Sequence, residues 1–381
     1  MAPASRLAAR LADLSHALLL EIAAAGYEAS TQVKNRADAI LAAHKPLAQW
    51  AVEGVLLSSD LVPHLLAPLQ LKDGAAAAVC SRWAEGWKAT SEGRRRLTRV
   101  ALDFPRDLLG KDSLNMAVVP GGDELVVGSG HTVCILGRDM SSTGISFELP
   151  TYKGEIAASE EFIYASAGGC EIRCYNHAGT EVAKYEEPEK VIAYSVLGPG
   201  GQLFCLLSDM EDPAQNEIIA LDAQTLQLRH RFGLSHLNSV GGMVVAGEEL
   251  FVCDCGNDRL QVFSLAGEHR RSITGEWDRP EALCFVKDRL YLIEVAGDEE
   301  DEEGELINPQ AGRRIFVLSL QGETLQVYTH PDREGQHFIS DLLCCFDGKL
   351  LAPVRDMVQE EDDDGIYEYY PYVGVIALAG A

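Results

Sequence analysis

Leu7, Leu11, Leu14, Leu18 and Ile22 recur at three- and four-residue spacings, which predicts one amphipathic helix near the N-terminus. Val33, Ala37, Ile40 and Leu41 predict a second, interrupted near Pro46. Alanine, the strongest helix former, is dense throughout this part. From about Leu97 the pattern changes. Period-two alternation, β-branched and aromatic residues and glycine punctuation continue to the end, which predicts strands and tight turns.

The β part repeats itself. One unit runs from Gly247 to Glu268 and reads turn, strand (Leu250–Cys253), polar turn, strand (Leu260–Leu265), Gly turn. The same grammar recurs at Leu125–Leu136, Phe162–Gly179, Leu203–Leu221, Leu290–Gly322 and Leu350–Leu378, six units in all. A strand precedes each, such as Met243–Val245, and a further strand follows each except the last, such as Leu325–Tyr328. Four strands per unit, repeated six times, predict a six-bladed β-propeller. The last unit lacks its outer strand, and Arg99–Phe104 is expected to supply it and close the ring. The expected organisation is a helical segment over 1–50, a helical module over 51–96, and a propeller over 97–381.

Charge follows the same division. The chain of 381 residues has a formal net charge of −26. Residues 1–99 carry 12 basic and 9 acidic side chains, whereas residues 100–381 carry 20 and 49. A chain so acidic is not expected to bind nucleic acid or an anionic membrane surface. No stretch approaches the ~20 apolar residues of a spanning helix. Arg10 and Asp13 interrupt the first apolar stripe, and Asp13 and Glu21 count against a targeting peptide. The ten cysteines form no Cys-x-x-Cys pair and lie mostly in strand-like runs, as reduced core thiols of a cytoplasmic or nuclear protein would.

Two stretches resemble known families. Asp254, Asn257 and Arg259 follow the Asp-x-x-Asn-x-Arg turn of the NHL repeat, a propeller unit; the other units match it in apolar pattern only. In such a turn the Asp and Asn are expected to hydrogen-bond the local backbone. The stretch from Val55 to Trp83, with its Val-Cys-Ser-Arg-Trp ending at 79–83, resembles an F-box, although Ser58 stands where that family usually has proline. That resemblance implies that Leu57, Leu61, Leu65, Leu66, Leu69, Val79 and Trp83 pack into the Skp-type adaptor of a cullin ubiquitin ligase. Helices of about 40 residues cannot bury enough surface to stand alone. The bland alternative packs these residues within the protein.

Two acidic runs stand out. Asp298, Glu299, Glu300, Asp301, Glu302 and Glu303 form the first; Glu360, Glu361, Asp362, Asp363 and Asp364 form the second. Both fall between the second and third strands of consecutive units, so they are expected side by side on one face, as solvated loops, as a docking patch for a basic partner or as a loose calcium site. Catalytic signatures are absent: no HxH or HExxH, no nucleophile elbow, no P-loop and no dinucleotide fingerprint. Glu155, Glu281 and Asp341 lie near inner strands, where some six-bladed hydrolases and lyases hold a metal. The preferred expectation is a non-enzymatic recognition subunit, without cofactor or metal, whose F-box-like module docks an adaptor and whose propeller binds a protein target. A scaffold without a ubiquitin role is the first alternative and a propeller hydrolase or lyase the second.

Overall fold

The computed structural model describes residues 61–66, 81–89 and 95–380, the last range apart from 110–112, 150–154, 167–168, 295–311, 332–336, 340–341, 357, 363–364 and 370. The chain divides into two compact units, residues 1–97 with Gly380 and residues 98–379 with Ala381. In the first unit the described helices are α1 (Leu61–Leu66) and α2 (Ser81–Ala89). They meet at a glycine: a Cβ on Gly86 would lie 2.5 Å from Val62 Cγ1 and 3.3 Å from Leu66 Cδ1. These two helices do not show the F-box-like module expected over 51–96, and the segment expected over 1–50 lies outside the described residues.

The second unit opens with β1 (Thr98–Val100) and continues as six sheets. Blade 1 is β2 (Leu114–Val118), β3 (Glu124–Ser129), β4 (Thr132–Gly137) and β5 (Ser142–Glu148). Blade 2 is β6 (Ile156–Ala158), β7 (Phe162–Ser166), β8 (Glu171–Asn176) and β9 (Glu181–Glu186). Blade 3 is β10 (Val191–Gly198), β11 (Gln202–Ser208), β12 (Glu217–Asp222) and β13 (Leu228–Phe232). Blade 4 is β14 (Val240–Ala246), β15 (Glu249–Asp254), β16 (Arg259–Ser264) and β17 (His269–Thr274). Blade 5 is β18 (Pro280–Val286), β19 (Arg289–Glu294), β20 (Arg314–Ser319) and β21 (Thr324–Thr329). Blade 6 has a divided inner strand, β22 (His337–Ile339) and β23 (Cys344–Phe346), against β24 (Lys349–Asp356); β27 (Tyr372–Ala379) and β1 complete it. Between β24 and β27 stands a two-stranded ribbon, β25 (Val358–Asp362) with β26 (Gly365–Tyr369).

Neighbouring inner strands touch in the order β2, β6, β10, β14, β18, β23 and back to β2, so the blades form a closed six-bladed propeller. Closure joins the two ends of the unit: β1 pairs antiparallel with β27, Thr98 opposite Ala379 and Val100 opposite Ala377. The closing strand ends at Val100, short of the Phe104 expected, and a 3₁₀ turn follows Pro105.

Burial explains the sequence pattern. The two middle strands of a blade are covered on both faces by adjacent blades, so they read as continuous apolar runs; Leu250, Phe251, Val252 and Cys253 are all 0% exposed. The outer strands keep one wet face and alternate, as β9 and β21 do. The Gly turns have a packing role. Gly179, Gly267 and Gly322 link the third and fourth strands at φ of 80°, 90° and 92°. Each lies against an apolar side chain on the outer strand of the preceding blade: Phe147, Phe232 and Ile273 respectively. The repeated glycine in the sequence is therefore a blade-to-blade contact, made where no Cβ fits.

Candidate functional site

In a four-stranded antiparallel blade the connections between second and third strands emerge at the same end as those leading to the next blade. That end of the ring collects the candidate chemistry. In blades 1 and 2 the second-to-third connections are short: Gly130–His131 and 167–170. In blades 3 to 6 they carry acids.

The blade 3 connection is built by its own carboxylates. Asp209 Oδ1 accepts the backbone N–H groups of Glu211 and Asp212, both at 2.9 Å. Those two bonds hold its carboxyl below the ordinary carboxylate range. Asp212 Oδ1 accepts Ala214 N–H at 3.1 Å and opens a 3₁₀ turn over Pro213–Gln215. Asn216, 1% exposed, accepts Asp209 N–H at 2.8 Å and ties the loop down. The loop thus presents Met210 at 80% exposure beside Glu211 and Asp212, both exposed. Glu187 and Glu217, at the neighbouring junction, are neutralised by Arg231 at 2.7 and 3.2 Å and by Lys190 at 2.8 Å.

Blade 4 carries the Asp-x-x-Asn-x-Arg turn, and its bonds differ from those expected. Asp254, 0% exposed, accepts the Asn238 N–H at 2.6 Å from the connection arriving from blade 3. It also accepts Asn257 Nδ2 at 3.0 Å, Arg259 Nε at 2.7 Å and Gln261 Nε2 at 3.2 Å. The triplet is a cage around one buried carboxylate, with Asn257 exposed and Arg259 half-buried, and it joins two chain segments rather than forming a local backbone turn. Blade 5 repeats the device with different residues. Glu294, 0% exposed on its side chain, accepts Arg314 Nε at 2.5 Å and Nη2 at 2.7 Å, and Asp278 N–H at 3.2 Å. Burial pushes the Glu294 carboxyl up, with Arg314 opposing. The insertion 295–313 separates Glu294 from Arg314 in sequence, which hid the pair; only an acid ending a strand and an arginine opening the next signalled it.

The cage extends to a pair of histidines. Gln261, 1% exposed, accepts Ser272 Oγ at 2.7 Å and meets His269 Nε2 at 2.8 Å. His269 stacks on His236 with ring centroids 4.6 Å apart. Burial, and then His236 and Arg259, lower the His269 pKa from 6.5. The folded state therefore binds this proton more weakly than the unfolded chain. The stability it contributes is complete above about pH 6.5 and is lost as the pH falls through the lowered folded value. Thermal melts at pH 7.5 and 5.5 are expected to show a smaller acid loss for His269→Gln than for wild type.

At the axis, Tyr194 Oη donates to Glu281 Oε1 at 2.9 Å, from blade 3 to blade 5. The Cys255 thiol donates to Pro280 O at 2.6 Å and lies 3.3 Å from Glu281 Oε2. Gly241 and Gly242 of β14 permit this reach: a Cβ at either would lie 2.6 or 3.1 Å from Glu281 O. Glu281 is thus engaged by a phenol and a thiol. Among the described residues no three His, Cys, Asp or Glu side chains gather to hold a metal. Asp341 lies outside the described residues.

The acidic runs fall as follows. Glu360, Glu361 and Asp362 lie on β25 and face Tyr367, Ile366 and Gly365 of β26 in register. That run is therefore the first strand of a ribbon, where a loop was expected. Asp298, Glu299, Glu300, Asp301, Glu302 and Glu303, together with Asp363 and Asp364, lie outside the described residues; the first run still interrupts the chain between β19 and β20. Of the residues expected to meet an adaptor, Leu66 is 0% exposed and sits inside the helix pair, and Trp83 of α2 is half-buried. Leu61 and Leu65 belong to α1. Leu57, Leu69 and Val79 lie outside the described residues.

No family model matches the chain, and no curated protein matches it. Among solved structures it is similar to a protein of unknown function from Bacteroides caccae, at 14% identity and a TM-score of 0.45, covering 60% of this chain and 81% of that one. It is also similar to BamB from Moraxella catarrhalis, at 12% identity and a TM-score of 0.44, covering 74% of this chain and all of that one. The propeller assignment here rests on strand order and ring closure.

Proposed function

We propose that the protein is a non-enzymatic interaction scaffold that holds a basic protein partner on the acidic end of its propeller. The observation that carries this reading is the long acidic second-to-third-strand connections of blades 3, 5 and 6, against short ones of two to four residues in blades 1, 2 and 4. Glu211 and Asp212 on the blade 3 loop and the β25 acids of blade 6 supply the charge, the 298–303 run adds six more acids to the blade 5 connection in sequence, and exposed Met210 supplies an apolar contact. Long-range attraction of this kind acts mainly on association rate. The rate of binding to a lysine-rich partner is expected to fall about tenfold or more between low and high salt, because exposed charges are screened beyond ~10 Å at 0.1 M. Glu360→Lys with Glu361→Lys should produce the same fall at low salt. Salt-independent binding would overturn the reading.

The finer form of this proposal gives the helical unit a role. Residues 51–96 would dock a Skp-type adaptor, making the protein the substrate-recognition subunit of a cullin ubiquitin ligase in the cytoplasm or nucleus. It rests on the resemblance of Val55–Trp83 to an F-box. Co-purification of the full chain with that adaptor, lost in Leu65→Asp with Trp83→Ala while propeller partners persist, is the expected outcome. Absence of the adaptor from the wild-type chain would leave a scaffold with no ubiquitin role.

A further inference from the structure

The inner strands of blades 5 and 6 each carry cysteine, and strand parity decides where those thiols face. In β18, Leu283 and Phe285 pack into the apolar cluster shared with blade 4. Successive residues of a strand point to opposite faces, so Cys284 points away from blade 4, toward blade 6. In β23, Cys344 and Phe346 pack into the cluster shared with blade 1. Cys345 therefore points the other way, toward blade 5. Strands β18 and β23 are direct neighbours in the ring, with Cα pairs within 8 Å of one another.

The electrostatic surroundings place both blade 6 thiols near Cys284, and strand parity distinguishes them. The Cys284 thiol is pushed up by burial first and then by Cys344 and Cys345, while the Cys345 backbone N–H offsets part of this. Cys345 is raised by burial and drawn back by Lys287, which lies in the hairpin of blade 5. Cys345 is partly exposed and Cys284 is 8% exposed, so only the first is open to a reagent from solvent.

We propose that Cys284 and Cys345 form a redox-active dithiol across the blade 5–blade 6 junction, closed to a disulfide by a hydroperoxide. The Cys345 thiolate attacks the peroxide oxygen, breaks the O–O bond and becomes a sulfenic acid, with water leaving. The Cys284 sulfur then attacks the Cys345 sulfur and displaces the hydroxyl as a second water. Two thiols and one hydrogen peroxide give one disulfide and two waters. The link joins the blades that carry the two acidic insertions. It does not depend on the scaffold reading.

The test is peptide mapping by mass spectrometry of the folded full chain after graded hydrogen peroxide, with free thiols blocked before digestion. Exposed Cys170 reports that the dose was sufficient. The expected result is a Cys284–Cys345 linked peptide that dithiothreitol removes, retained in Cys344→Ser and lost in Cys345→Ser. The wild-type map stands alone if a variant fails to fold. A link through Cys344, or Cys284 and Cys345 both blocked as free thiols at doses that oxidise Cys170, would overturn the proposal.

Discussion

Asp254→Ala is expected to destabilise the propeller by about 1.5–3 kcal/mol, the range for hydrogen bonds to a charged group. The carboxylate is 0% exposed and collects donors from Asn238, Asn257, Arg259 and Gln261. Alanine leaves the Asn238 N–H without its carboxylate acceptor and the Arg259 guanidinium without its counter-charge, while the Gln261 amide keeps His236 O at 2.9 Å. Each unsatisfied buried donor costs about 1–3 kcal/mol. The damage crosses a junction, because Asn238 arrives from blade 3. Asp254→Asn should lose less than alanine, since it keeps one acceptor oxygen. Urea unfolding midpoints followed by far-UV circular dichroism measure both. Pairing Asp254→Ala with Arg259→Leu should recover part of the loss by removing the stranded charge. An Asp254→Ala midpoint equal to wild type would show that the cage is not part of the blade junction.

Gly267→Ala should cost a comparable amount for a different reason. At φ 90° an L-side chain is strained, by about 1–2 kcal/mol. A Cβ there would lie 2.7 Å from both Cβ and Cγ of Phe232, so the ring on blade 3 must move, and overpacking costs roughly 1–3 kcal/mol more. Gly247→Ala is the control: it shares the positive φ, 65°, but its Cβ would meet nothing within 4 Å. The difference between the two variants therefore reads the packing contribution. Equal losses would mean that the turn matters only for its backbone.

Much of the architecture was legible in the chain. The six apolar units, the Gly turns and the missing last strand were all visible, because a blade's middle strands are covered on both sides and its tight turns need glycine. Less of the candidate site could be read. The Asp254 triplet is legible because its members lie within six residues, yet the shortest hydrogen bond to Asp254, from the Asn238 N–H, carries no sequence signal. Glu294 and Arg314 escaped notice because an insertion separates them. The Met210 loop has no sequence signature, because Asp209 and Asn216 brace it through hydrogen bonds to its backbone.

The sequence by itself determined the number of blades, their order and the end of the ring at which the acidic insertions emerge. These follow from periodicity along one chain and from strand direction, both local properties. Only the tertiary structure decided which residues meet between blades: Asp254 with the Asn238 amide, Gly267 with Phe232, Tyr194 with Glu281, and the facing of Cys284 and Cys345. Each of these pairings depends on how neighbouring sheets stack, and stacking brings together residues whose separation in the chain says nothing of their distance in space.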